Sequence, residues 1–415
     1  MPHFDAVIVG AGPAGSTAAI CLARAGAHVA LVDRRSFPRD KACGDLIGPR
    51  GVRRLDELGL SPAPALEVGD LIVVGPSGRR IRLPAFPGVD YPGHALAIPR
   101  AAFDNALFDA AVCSGAHSVK DMVIGLIDEP SVPIRIRLAS GQTLAGDVVV
   151  GADGATSRVA AAAGLVNDQL ALWGFALRTY AEATVDLPHI VFWEPQPWRI
   201  LPGYGWIFPS GDGRANIGLG VGVGPDRLRA RAVGERFHGF LDHLVRQRIV
   251  QTRSSAQGER LGGWLKMGVI GTVPARGRVL LAGDAAGLVN PLQGEGIAQA
   301  MASGQAAAAA ILAHGPMDAA IGYRDRLRAI SHHQRINGPL QRAAVSHPKS
   351  MAAVARALTA PVVRNAAAGT WSLYWNDLVR GARPSPHRAA ATGTTRLVTA
   401  IARTSKADAW FEQAL

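Results

Sequence analysis

The stretch from Phe4 to Asp33 leaves this chain few ways to fold. Phe4–Val9 is a short, largely apolar run. Gly10-Ala11-Gly12-Pro13-Ala14-Gly15 follows, then a helix-forming stretch from Ser16 to Ala25 closed by Gly26, then a second apolar run, His28–Val32, ending at Asp33. Strand, G-x-G-x-x-G, helix, strand, acid is the order of a dinucleotide-binding βαβ unit. Each part has a physical reason. Gly10 permits the tight turn, Gly12 lets backbone approach a pyrophosphate, and Gly15 lets helix and strand pack closely. The unpaired N–H groups at the helix start, from Ala14 onward past Pro13, face the phosphates. Asp33, with Arg34 beside it, is placed to accept from the adenosine ribose.

Downstream residues select FAD over NAD. Leu280–Gly287 reads as a strand entering a Gly-Asp turn at Asp284. Asn290-Pro291 and Gly294-Glu295-Gly296-Ile297 come next, followed by a helix through about Leu312. Asp284 suits a ribityl chain. A helix beginning near Gly294, Gly296 and Ile297 points its positive end at a flavin edge that becomes negative on reduction. Val148–Arg158 repeats the strand and Asp-Gly pattern around Asp153, and Arg100 opens a helix from which it reaches the cofactor. A second G-x-G-x-x-G for NADPH is not visible, so NADPH docks transiently or another electron donor, such as ferredoxin, replaces it.

Composition narrows the partners. At 48% hydrophobic and 18% charged the chain is ordinary globular material with apolar residues enough for two packed domains. Cys21, Cys43 and Cys113 have neither disulfide nor metal-site spacing, so no metal is expected and the cytoplasm is the expected compartment. No apolar run is long enough to span a bilayer. The net charge of +12 is concentrated after Tyr323, where 14 Lys and Arg stand against 4 Asp and Glu. That excess fits a solvated surface, an anionic membrane face or a diphosphate-bearing substrate. No nucleic-acid module accompanies it.

With these elements read, the chain resembles the flavoprotein group that includes p-hydroxybenzoate hydroxylase, and within it the geranylgeranyl reductase family. Arg39-Asp40-Lys41-Ala42-Cys43-Gly44-Asp45, the P-x-x-Y-x-W-x-F-P run from Pro202 to Pro209, and Gly283–Pro291 with Gly294-Glu295-Gly296 carry the resemblance. The helix after Gly296 departs from it, reading Ile-Ala-Gln-Ala-Met where relatives carry bulkier aromatics. The resemblance implies an α/β and α+β fold, with a Rossmann-type FAD-binding domain (1–69, 95–165 and 267–325) interleaved with an antiparallel-sheet substrate domain (70–94 and 166–266). The resemblance covers roughly Asp5 to Leu312; beyond it, 326–415 reads from its own sequence as a helical basic region broken by Pro348, Pro361 and Pro384. Leu71–Val74 and Arg80–Leu83 read as a hairpin, and Ile190–Trp193, Gly205–Phe208 and Ala215–Val221 as short strands.

The resemblance further implies reduction of C=C bonds in a hydrophobic polyprenyl chain, with Lys41, Cys43, Gly44 and Asp45 in a loop beside the flavin. An isolated alkene does not accept hydride directly; protonation to a tertiary cation must come first. Tyr204 and Trp206 are the candidates to stabilise that cation through their ring faces. Cys43 is a candidate proton donor or relay, although a thiol with pKa near ~8.5 is a weak acid for this task; the alternative is that it positions substrate or fills space. Trp173, Phe175, Phe192, Trp193, Trp198 and Phe208 serve as core or tunnel wall. Two other readings remain open. One is a monooxygenase or halogenase acting on an aromatic or polyketide substrate, although Tyr204–Pro209 differs from the halogenase W-x-W-x-I-P pattern. The other is a non-catalytic prenyl carrier. Peripheral membrane contact through Trp371, Leu373, Tyr374 and Trp375, or through Leu397, Val398, Ile401, Trp410 and Phe411, is expected for a bilayer-borne substrate.

Overall fold

The computed structural model describes residues 1–129, 133–192, 203–224, 226–251, 260–346, 349, 353, 356–357, 359–360 and 365–404. Its first sheet has a parallel centre. His3–Val9 lies between Val29–Asp33 and Thr143–Gly151, with His117–Lys120 and Val279–Leu281 outside them. Helices cover this centre, so its strands are apolar on both faces; Ile8, Ala30, Val149 and Leu280 have no exposed surface. Antiparallel strands Ile134–Leu138 and Val123–Ile127 extend it from Thr143–Gly151.

The first helix runs Pro13–Arg24 and begins earlier than the apolar pattern places it. Gly12 is its N-cap and Pro13 its first residue, where a missing N–H costs nothing and φ already fits a helix. It packs between Arg100–Cys113 and the long helix Ile297–Ile330. That long helix passes beyond Leu312 and bends at Gly315, whose φ of 68° no helix accommodates, just before Pro316.

The second sheet is the antiparallel one expected, but longer. Its order is Leu261–Met267, Leu172–Glu182, Arg214–Gly222, Gly203–Pro209, His189–Val191, Leu71–Val74, Arg80–Leu83, with one parallel pair, His189–Val191 against Leu71–Val74. Leu172–Glu182 and Leu261–Met267 had no strand reading. Trp193, Trp198 and Pro202 lie outside the described residues. One face packs on helix Val233–Arg246 through Phe237 and Phe240. The other carries Val73, Ile190, Trp206 and Phe208 against Ala368 and Trp371 of helix Asn365–Trp375. A small sheet of Leu46–Ile47, Ala95–Ala97 and Leu66–Val68 completes the strands.

Helices His332–Ser346, Asn365–Trp375 and Pro386–Thr404 form the C-terminal region. Pro348, Pro361, Trp410 and Phe411 fall outside the described residues. The first apolar cluster of this region is not an exposed anchor: Trp371 and Leu373 are 8% and 2% exposed. Among the described residues, no helix is long and apolar enough to cross a membrane.

Candidate cofactor and substrate site

The glycine loop has little freedom. A Cβ on Gly10, whose φ is 98°, would lie 2.4 Å from Ala152 O, and one on Gly15 would lie 1.8 Å from Gly10 O. Gly12 differs, because a Cβ there meets only Arg39 Nη2 at 3.7 Å. The space in front of Gly12 and the helix N-terminus is thus a groove that the protein leaves open, and an FAD pyrophosphate fits it. Asp33 braces the loop: Oδ2 accepts from Ala11 N at 2.8 Å and Oδ1 from Arg35 N at 2.9 Å, with Arg39 Nη2 at 3.9 Å. Arg34 is exposed.

The Lys41–Asp45 loop lies over a buried polar network. Asp45, 4% exposed with φ 64°, accepts from the Tyr180 hydroxyl, from Asn216 Nδ2 at 2.8 Å and from Arg100 N at 3.3 Å. Asn216 Nδ2 also donates to Cys43 O at 2.8 Å, and its Oδ1 accepts from Trp206 Nε1 at 2.9 Å. Arg100 is 3% exposed and makes a two-pronged pair with Asp104 at 2.8 and 2.7 Å. Its guanidinium therefore belongs to this network and lies against Cys43, not on an open surface. Burial pushes the Cys43 thiol up despite Arg100, and burial likewise raises the Asp45 carboxyl despite its donors.

Tyr180, Asn216 and Asp104 had no sequence reading as site residues. Tyr180 and Asn216 are cross-strand partners, a proximity that only strand pairing creates. Asp104 was legible as the i+4 neighbour of Arg100.

Asp153 and Asp284 separate. Asp153 accepts from Ser157 Oγ at 2.5 Å, Arg158 N at 2.7 Å and Val159 N at 3.2 Å, so its oxygens serve the start of helix Arg158–Ala162. Asp284 lines the cavity, with Lys41 Nζ 3.6 Å away. Lys266 is 1% exposed, and burial draws its ammonium down to about 8 even with Asp168, Asp153 and Asp284 in range. Cys21 is half-buried, whereas Cys113 ends its helix exposed, so packing does not account for it.

The strand Gly203–Pro209 explains its own motif. Side chains alternate across a strand, so Tyr204, Trp206 and Phe208 share one face. Their rings step 6.4 and 6.3 Å apart. The opposite face is crowded: a Cβ on Gly205 would come within 2.1 Å of the Phe240 ring. Trp206 lies flat over Gly218, where a Cβ would approach it to 1.9 Å. A cavity of about 310 Å³ lies against this ladder. It extends from Pro13, Lys41 and Asp284 to Trp375 and Leu378, with Gly294, Gly296 and Ile297 in its wall. The Tyr204 hydroxyl donates to Gln293 O, which ties the ladder to the start of the long helix.

Residues 3–176 match the FAD binding domain family. The chain is 34% identical over 323 residues to a menaquinone reductase of Mycolicibacterium smegmatis, an alignment covering 76% of this chain and 78% of that protein. The chain belongs to the geranylgeranyl reductase family of FAD-dependent oxidoreductases. A digeranylgeranylglycerophospholipid reductase of Methanopyrus kandleri is also similar, at 33% identity over 74% of this chain and 79% of the relative. Among solved structures, a geranylgeranyl bacteriochlorophyll reductase-like protein from Thermoplasma acidophilum has a TM-score of 0.69 at 21% identity, covering 92% and 98% of the two chains. A flavin-dependent brominase has a TM-score of 0.68 at 19% identity, covering 95% and 99%. These two likenesses establish the family's fold.

Proposed function

We propose that this protein is an FAD-dependent reductase that saturates C=C bonds of a polyprenyl chain of the geranylgeranyl or prenylquinone type. One observation carries the reading: a cavity, predominantly apolar in its lining, that joins the cofactor loop to an aromatic ladder and a cover of C-terminal helices. A flat polar substrate would leave such walls unmatched, whereas an isoprenoid buries apolar surface along them at roughly 25 cal/mol per Å².

In this reading residues 1–69, 95–165 and 267–325 hold the cofactor and 70–94 and 166–266 hold the substrate. Gly10–Gly15 and Asp33 receive the ADP part of FAD, Asp284 with Lys41 the ribityl region, and Gly294–Ile297 the isoalloxazine edge. Bound FAD supplies a two-electron hydride donor, recharged by NADPH or a protein donor. Tyr204 and Trp206 present ring faces to positive charge developing on the chain. Cys43, its thiol held protonated by burial, positions substrate beside them.

The substrate is collected from a membrane surface. Leu397 and Ile401 are 63% and 47% exposed on helix Pro386–Thr404, with exposed Arg396 and Arg403 beside them.

The deciding experiment is an anaerobic incubation of reduced holoenzyme with prenyl diphosphates and prenylquinones. A gain of two mass units per bond is expected. A hydroxylated or halogenated product that requires air overturns the reading.

A further inference from the structure

The acids among the described residues lining the cavity are Asp284 and Glu295. Asp284 is neutralised by Lys41 at 3.6 Å. Glu295 has no ion pair among the described residues. Its Oε1 accepts from Ala298 N at 2.8 Å, which fixes the side chain at the start of the long helix. The Gln299 amide, 5% exposed, hydrogen-bonds the same carboxyl; that contact favours the ionised form, and burial outweighs it.

The surroundings hold Glu295 in the cavity wall beside the ladder. The charged and titratable groups facing it are Arg50 from helix Pro49–Leu58, Asp377 beyond helix Asn365–Trp375, and Tyr204. His333 stands behind Asp377 at 3.7 Å, and Cys43 faces Tyr204 from its own loop.

We propose that Glu295, rather than Cys43, delivers the proton to the prenyl double bond. The inference rests on the reductase reading. The Glu295 O–H bond breaks and a C–H bond forms at one alkene carbon. Hydride for the other carbon would come from FAD held here in its reduced form, so that the alkene gains two electrons and the cofactor loses them. Glu295 is left ionised and regains a proton from water. Electrostatics agree: burial, with Asp377 nearby, raises this carboxyl to about 7, whereas burial moves the Cys43 thiol away from acid strength.

The test uses FAD-loaded wild type, Glu295→Gln, Glu295→Asp and Cys43→Ala. Infrared difference titration, which needs no substrate, should find a protonated carboxyl in wild type that ionises near pH 7 and is missing from Glu295→Gln. In anaerobic single turnovers Glu295→Gln should be at least about a hundredfold slower than wild type while retaining FAD. Glu295→Asp should recover part of the rate. The wild-type rate should fall as pH rises through about 7, because the acid form is required, and Cys43→Ala should keep that limb. If Glu295→Gln loses FAD, Glu295→Asp serves as the infrared partner.

A carboxyl ionised throughout pH 6–8, Glu295→Gln within about threefold of wild type, or loss of the limb in Cys43→Ala overturns the role. Wild type that shows the band yet reduces no prenyl substrate overturns the reductase reading and this role with it. Wild type that reduces the panel without the band overturns the acid alone.

Discussion

Asp45 carries three demands in one side chain: a left-handed backbone, a buried carboxyl and hydrogen bonds to two strands distant in sequence. Asp45→Ala leaves the buried Tyr180 hydroxyl without its acceptor, removes one of the two acceptors of Asn216 Nδ2, and puts a residue less tolerant of the left-handed region than aspartate at φ 64°, so we expect a loss of ~2–4 kcal/mol in denaturant unfolding. Asp153→Ala and Asp284→Ala should part company. Losing the Asp153 cap should cost ~1 kcal/mol of stability, whereas Asp284→Ala should chiefly release FAD, measured as flavin content after gel filtration.

Glu295 adds a pH signature. Its folded pKa, about 7, lies above its ordinary 4.5, so ionisation opposes folding. Its part in stability is fully present below about pH 4.5, falls as pH rises and is gone above about pH 7. Unfolding midpoints should therefore lose this part of their decline between those values in Glu295→Gln.

At the scale of elements, the glycine loop and the aromatic strand follow opposite logic. Gly15 is fixed by its own protein, so Gly15→Ala should unfold the βαβ unit with or without cofactor. Gly12 faces open space, so Gly12→Val should fold with a near-normal thermal midpoint yet purify colourless. In the strand, the alternation Tyr204-Gly205-Trp206-Ile207-Phe208 fills one face with rings and leaves the other for Phe240. Gly218→Ala pushes directly on Trp206, so its tryptophan fluorescence should shift and prenyl turnover should drop by more than FAD affinity does.

At the scale of the molecule, the C-terminal helices finish the cavity that the two sheets begin. Trp375 meets Phe192 edge-on at 6.1 Å and Trp371 at 6.1 Å. Trp375→Ala should remove that closure, raising KM for long prenyl chains more than for short ones. The outermost helix presents Leu397 and Ile401 between arginines. Binding to anionic vesicles should be salt-sensitive, with up to ~1 kcal/mol from each arginine held near the lipid. It should be lost in Leu397→Ser/Ile401→Ser, as measured by co-sedimentation.

The sequence alone determined the βαβ unit, the Gly-Asp turn at Asp284 and the family, because these are local: a phosphate cradle needs glycines and a helix start within one short segment. The alternation of Tyr204, Trp206 and Phe208 was local as well. What Arg100, Cys43 and Glu295 face was not. Arg100 became a buried partner of Asp104 and neighbour of Cys43 because its helix packs beneath the Lys41–Asp45 loop. Tyr180 and Asn216 reached Asp45 because two strands fell into register. Glu295 was visible as a letter between glycines. Its protonation depends on burial and on Asp377, 82 residues away in the chain. Such effects are set by which groups share a low-dielectric volume, and only tertiary packing decides that.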